Sequence, residues 1–232
     1  MRIINFEDMG AGAYLADAVI NDIYEKTEEC DSKYYWSSDY YIIKDEFKLA
    51  KPKEFSADVK EILVLFGGTD PNNFTQKAVK SVLPILNEKN IHCTIILGVG
   101  YADADAIQQQ VSSYKNVEVL QNVKRISKCM ERADIAIASK GRTMYELAYM
   151  GIPTVLLAQN ERELEHAFGS LENGYLNLGM GTEIEEETLK NTIQWLIDFP
   201  SIRKDMHKCL LSRELGNGLE KVKKIIFEME KK

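Results

Sequence analysis

The chain has 232 residues, 45% of them hydrophobic and 28% charged, with a net charge of -7 at pH 7. That length and composition support a buried core in one large domain or two modest ones, while the acidic balance argues against a broad nucleic-acid surface, which needs clustered Lys and Arg to displace counterions from phosphates. No run approaches the roughly 18 unbroken apolar residues of a membrane helix, and the start, MRIINFEDMG, lacks the basic and apolar regions of a signal peptide; the expectation is a cytoplasmic protein with no nucleic-acid partner and no membrane span.

In chain order, RIINFED and ADAVINDIY read as short strands. The stretch EKTEECDSKYYWSSDYYIIKDEFKLAKPKEF that follows has no sustained period and reads as an extended connector, ending in a polar linker around Lys51 to Ala57. A lone strand and a connector bury no core of their own. Residues 1–56 are therefore expected to be the remnant of an N-terminal domain plus a connector, in a chain that starts inside, or has lost, an N-terminal partner domain.

From residue 57 the pattern becomes regular. Nearly continuous apolar runs, EILVLFGG (61–68), IHCTIILG (91–98), VEVLQ (117–121), DIAIAS (134–139) and PTVLLAQ (153–159), read as strands covered on both faces. Helical segments separate them; in the first, Phe74, Ala78, Val82 and Ile85 recur at helical spacing behind Pro71 and Asn72. Repeated β-α units predict an α/β fold, a Rossmann-like doubly wound parallel sheet over residues 57–232. The basic tail LEKVKKIIFEMEKK alternates with apolar residues and reads as a solvated helix face. Cys30, Cys93, Cys129 and Cys209 are scattered, without a C-x-x-C pair or a histidine at ligand spacing, so neither disulfide, metal site nor cofactor is expected.

Three loops follow strands and so share one edge of the sheet, where open α/β folds bind ligands. In the first, Gly67 and Gly68 permit a sharp turn that presents N–H groups to an anion, and Thr69, Asp70 and Asn72 can bond a ligand or cap the next helix. G-G-T-D does not fit a dinucleotide fingerprint. In the second, Ser139, Lys140, Gly141, Arg142 and Thr143 lie at a strand-to-helix junction whose dipole and free N–H groups favour negative charge. Glu146, three positions after Thr143, can take two sugar hydroxyls, or complete a capping box that leaves the basic pair unexplained. In the third, Gln159 and Asn160 can read sugar hydroxyls, or Asn160 can cap the helix of Arg162 and Glu165. His166 is the one histidine near these loops, and without a visible partner it reads as an ordinary surface or core residue rather than a general base.

The stretches FGGTDPNN, NVEVLQNVKRISKCMERADIAIASKGRTMYELAYMGIPTVLLAQNE and GNGLEKV resemble the C-terminal domain of the nucleotide-sugar hydrolases of pseudaminic acid synthesis and their spore-coat-polysaccharide relatives, all GT-B-like two-domain proteins. More distantly they resemble the lipid II-forming N-acetylglucosaminyltransferase. INFEDMGAGAYLADAVIN and SSDYYIIKDEF resemble the end of the family's N-terminal domain and its crossover. The resemblance implies a site for a uridine diphosphate sugar. Gly67 and Gly68 would line sugar or diphosphate, the backbone near Val123 would read the base, Gly141 to Thr143 would hold diphosphate, Glu146 would take the ribose hydroxyls, and Gln159 and Asn160 would approach the sugar. Two departures stand out: SKGRT replaces the usual second glycine before the threonine and adds positive charge, and the family's catalytic histidine belongs to an N-terminal domain almost wholly absent here. The reading that follows is a nucleotide-sugar-binding domain of a hydrolase making a surface sugar, with a glycosyltransferase domain or a non-catalytic sensing or scaffold module as alternatives.

Overall fold

The computed structural model describes residues 2–7, 9–24 and 33–231; Cys30 lies outside them. The first segment builds three short parallel strands side by side: β1 (Ile4–Phe6), β2 (Ala18–Asn21) and β3 (Tyr34–Trp36). The central β2 is buried along its whole length, as a strand flanked and covered must be. The first two strands fall where the sequence places them. The third lies in the stretch without a period; Tyr34 and Trp36 stack with ring centroids 5.5 Å apart. The segment thus holds a small sheet, not a lone strand. A short helix, α1 (Asp45–Lys48), leads from it into the linker.

The larger sheet has six parallel strands. In chain order these are β4 (Glu61–Leu65), β5 (His92–Leu97), β6 (Val117–Gln121), β7 (Ile135–Ser139), β8 (Thr154–Ala158) and β9 (Tyr175–Met180). In space they run β6-β5-β4-β7-β8-β9. The chain therefore winds outward from β4 in one direction, then returns and winds outward from β7 in the other, so β4 and β7 flank the switch point where such sheets open a crevice at the carboxyl ends of their strands. Five of the six are the apolar runs read from the sequence; β9, an edge strand, is not among them.

The connecting helices are α2 (Phe74–Lys89), α3 (Ala104–Val111), α4 (Ser127–Met130), α5 (Thr143–Tyr149), α6 (Glu161–Leu164), α7 (Glu186–Asp198) and α8 (Pro200–Leu211). They cover both faces, which is why the strands read as unbroken apolar runs: along β4, Ile62 and Val64 join Ala78, Val82 and Ile193 on one side, and Leu63 and Leu65 join Tyr145, Leu147 and Phe168 on the other. Cys93 and Cys129 are buried free thiols, as their apolar surroundings imply.

The last helix, α9 (Gly218–Glu230), does not stay with the larger sheet. Its Val222 and Ile225 pack on Ala18 and Ile20 of β2, with Tyr35, Tyr40 and Ile42 around them. The apolar stripe of the basic tail is thereby used, and its lysines face outward. Under the sheet, buried Arg203 of α8 donates to the carbonyls of Leu196, Ser56 and Ala57 at 2.8, 3.0 and 2.5 Å, fixing the linker. Among the described residues no helix is long and apolar enough to cross a membrane.

Candidate functional site

The two loops at the switch point are the G-G-T-D turn after β4 and the S-K-G-R-T junction between β7 and α5. Gly67 holds φ +77°, a left-handed angle that glycine adopts without strain. A Cβ on Gly98, at the end of β5, would come within 2.3 Å of the Gly67 and Gly68 carbonyl oxygens, so the turn lies directly on the neighbouring backbone. Gly67, Gly68 and Thr69 are exposed. Asp70 is turned inward: its carboxylate accepts from the N–H groups of Phe74 and Thr75 at 2.9 and 2.7 Å, the helix-capping alternative.

At the end of β7, Ser139 and the following Lys140 are buried, and Gly141 and Thr143 are half-buried. Lys140 points into the protein and donates to the Leu164 carbonyl at 2.9 Å, and burial lowers its pKa. A Cβ on Gly141 would lie 3.1 Å from the Glu163 carboxylate, which accepts the Gln159 N–H at 2.8 Å. Arg142 is bound on two sides by carboxylates of the first segment: Glu7, and Asp22 at 3.0 Å. Its guanidinium also lies 5.0 Å from the centre of the Tyr41 ring.

Glu146 is 3% exposed, yet the capping box with Thr143 does not form, since no side chain caps α5. Its carboxylate meets the Lys44 ammonium at 2.7 Å. Burial raises its pKa, and Lys44 pulls it back. Beside it Tyr145 stacks between Tyr41 and Phe168, with centroid distances of 4.3 and 4.6 Å.

Beyond β8, Gln159 ties its own loop to the one after β4. Its side-chain amide donates to the Phe66 carbonyl at 2.9 Å, and its main-chain carbonyl accepts from the Asn72 side chain at 2.7 Å. Asn160 caps α6 through Glu163 N–H at 3.0 Å. His166 is buried, and its Nδ1 lies 2.7 Å from the Lys140 carbonyl. A carbonyl only accepts, so Nδ1 carries the proton and Nε2 the lone pair. That Nε2 is buried without a partner among the described residues, and burial lowers the pKa of the ring. Val123, past β6, packs half-buried against the core under α5.

The fold thus brings Gly67 to Asp70, Ser139 to Glu146, and Gln159 and Asn160 to one sheet edge. Val123 stands at the end of the same edge. Sequence reasoning missed Glu7, Asp22, Tyr41, Lys44 and Glu163. Only Glu163 carries a local signal, an acid three residues after a helix-capping Asn; the others reach the site from the first segment.

A parallel sheet with helices on both faces, a glycine turn and an acidic helix start at its switch point define a Rossmann-type domain of the GT-B kind. Residues 62–225 match the glycosyltransferase family 28 C-terminal domain, and the chain belongs to that family. The chain is 25% identical over 236 residues to the spore coat polysaccharide biosynthesis protein SpsG of Bacillus subtilis, covering 98% of this chain and 70% of that protein. It is 27% identical over 143 residues to the pseudaminic acid cytidylyltransferase and UDP-2,4-diacetamido-2,4,6-trideoxy-beta-L-altropyranose hydrolase of Helicobacter pylori, covering 61% of this chain and 25% of that protein. The crystal structure of MurG from Acinetobacter baumannii superposes with a TM-score of 0.64 at 15% identity, over 93% of this chain and 62% of that one.

Proposed function

We propose that the chain is the nucleotide-sugar-binding domain, for a UDP-sugar, of a sugar-nucleotide hydrolase that works in the cytoplasm in nonulosonic acid or surface polysaccharide synthesis. The observation that carries this reading is Glu146, a buried carboxylate at the switch point that caps no helix. An ionised acid in that position matches the paired hydroxyls of a ribose. Arg142 and the N–H groups at the start of α5 can then neutralise the diphosphate, which gains charge as the bond to the sugar breaks. The hydrolytic step is favoured over transfer to an acceptor by the likeness to a protein named as a UDP-sugar hydrolase; the family match itself is the observation that favours a transferase. Supplying a labelled donor and asking whether free sugar or glycoside accumulates separates the two.

In this reading residues 57–232 are the nucleotide-sugar-binding unit and residues 1–56 belong with a second domain, of the kind that makes the relatives longer, which completes the cleft and supplies the base. Alone, the 232-residue chain binds weakly and turns over little. The test is calorimetric titration with UDP: binding by the chain, weakened about tenfold or more in Glu146→Ala, supports the reading, a tenfold change being about 1.4 kcal/mol. No binding by the unaltered chain at millimolar UDP sinks it in favour of a scaffold role, and family-like hydrolysis by this chain alone sinks the division of labour.

A further inference from the structure

A nucleotide that uses Glu146 and Arg142 finds both already engaged by the chain's own charges. Lys44 holds Glu146 at 2.7 Å, although the lysine side chain is 64% exposed and only its ammonium end is tied down. Glu7 bridges Arg142 and Arg162, the latter at 3.1 Å, and Asp22 adds a second carboxylate to Arg142 at 3.0 Å. Tyr24 accepts from Arg162 at 2.8 Å and meets the His166 ring edge-on at 5.8 Å. Every one of these partners comes from the first 44 residues, and every group they engage lies in the loop-and-helix segments that follow β7 and β8.

The seam is held but not satisfied. Among the described residues, the Asp22 Oδ1 and His166 Nε2 atoms are buried there without partners, whereas a purely structural interface leaves few such atoms. A cavity of about 110 Å³, lined by Asp22, Tyr24, Ser37, Tyr145, Phe168 and others, opens along the same seam. Ile23, Tyr41 and Phe47 stay packed in one core with Tyr145 and Phe168, whereas the charged contacts at Arg142, Arg162 and Glu146 are ion pairs with an exposed partner, the kind that exchange readily.

We propose that Glu7 and Lys44 form a charge latch: with no nucleotide bound, the first segment occupies the diphosphate position with a carboxylate and the ribose position with an ammonium, and binding requires both to leave. The proposal rests on the nucleotide-site reading above and adds that this chain competes for its own site. Its test is titration of UDP and of uridine, followed by nuclear magnetic resonance shifts, into the full chain and into Lys44→Met and Glu7→Gln. Releasing an ion pair of this kind corresponds to about fivefold in affinity. Lys44→Met is expected to tighten both ligands by about that factor. Glu7→Gln is expected to tighten UDP and leave uridine, which has no phosphate, where it was. Should either variant fail to fold, the unaltered chain still decides: uridine is uncharged, so raising the ionic strength to about 0.5 M screens the Lys44–Glu146 pair and is expected to tighten uridine binding. UDP bound equally or more weakly by both variants, or uridine indifferent to salt, overturns the latch alone. If neither the chain nor its variants bind UDP, the nucleotide reading falls and the latch with it.

Discussion

Gly218 opens α9 with φ -57° and ψ -42°, angles that any residue adopts. Replacing it by Ala sets two effects against each other. Helix propensity favours Ala by up to about 1 kcal/mol. Against that, a Cβ would sit 1.9 Å from the Tyr41 carbonyl oxygen and 2.5 Å from its carbon, where ordinary contact begins near 3.4 Å. The obstacle is backbone, which cannot rotate aside, so α9 or the connector has to move by roughly 1.5 Å, at a cost of about 1–3 kcal/mol or more for overpacking. That movement also loosens Val222 and Ile225, 3% and 5% exposed against β2, and each such side chain contributes about 1.5–3 kcal/mol when fully buried. The steric effect wins, and Gly218→Ala is expected to lose about 2–4 kcal/mol. Urea unfolding followed by circular dichroism should show the midpoint falling by about 1–2 M. A midpoint that is unchanged or higher refutes the argument, because it would mean that α9 is not seated against Tyr41 and that only helix propensity counts there.

Three further expectations follow from particular contacts. Arg203→Met keeps the volume but removes three hydrogen bonds from a charged donor to the Leu196, Ser56 and Ala57 carbonyls; with part of the loss offset by no longer burying the charge, denaturant melts should show about 3 kcal/mol less stability. Asp70→Ala takes away the acceptor of the Phe74 and Thr75 N–H groups and should lower the thermal midpoint by an amount equivalent to about 1–2 kcal/mol; no change would return Asp70 to the ligand. For His166, burial lowers the folded pKa below 6.5, so the neutral ring contributes stability that is present above that value and lost as pH falls through the folded pKa. His166→Asn, whose amide can still donate to the Lys140 carbonyl, should flatten this loss by up to about 1.4 kcal/mol per pH unit below pH ~6.5; parallel pH curves for the two proteins would contradict it.

Where the sheet is covered on both faces, burial writes itself into the sequence as an uninterrupted apolar run, and β4, β5, β7 and β8 are legible for that reason; β6, an edge strand with no buried residue, is legible from Val117, Val119 and Leu120. Strand β9 escapes because, beyond buried Tyr175, its residues are half-buried or exposed and Asn177 and Gly179 break the run. Strand β3 escapes because its three aromatics are only half-buried. The same logic divides the candidate site. A turn, a helix start and an acid one turn on are local patterns, so Gly67, Gly141, Thr143 and Glu146 could be singled out from spacing alone. Which way a side chain turns depends on partners far along the chain. Lys140 bends in toward Leu164, 24 residues on, and Arg142 meets Asp22, 120 residues back; nothing near either residue in the sequence announces it.

The return of α9 to the small sheet limits how the molecule can move. Two bodies joined by one tether can swing in any direction, whereas here the chain passes between the sheets twice, once through the linker that Arg203 grips at Ser56 and Ala57 and once at Gly218, pressed on the Tyr41 carbonyl. Two separated crossings confine any swing of the small sheet to the line that joins them, and the packing of Ile23, Tyr41 and Phe47 into one core with Tyr145 and Phe168 resists that swing too.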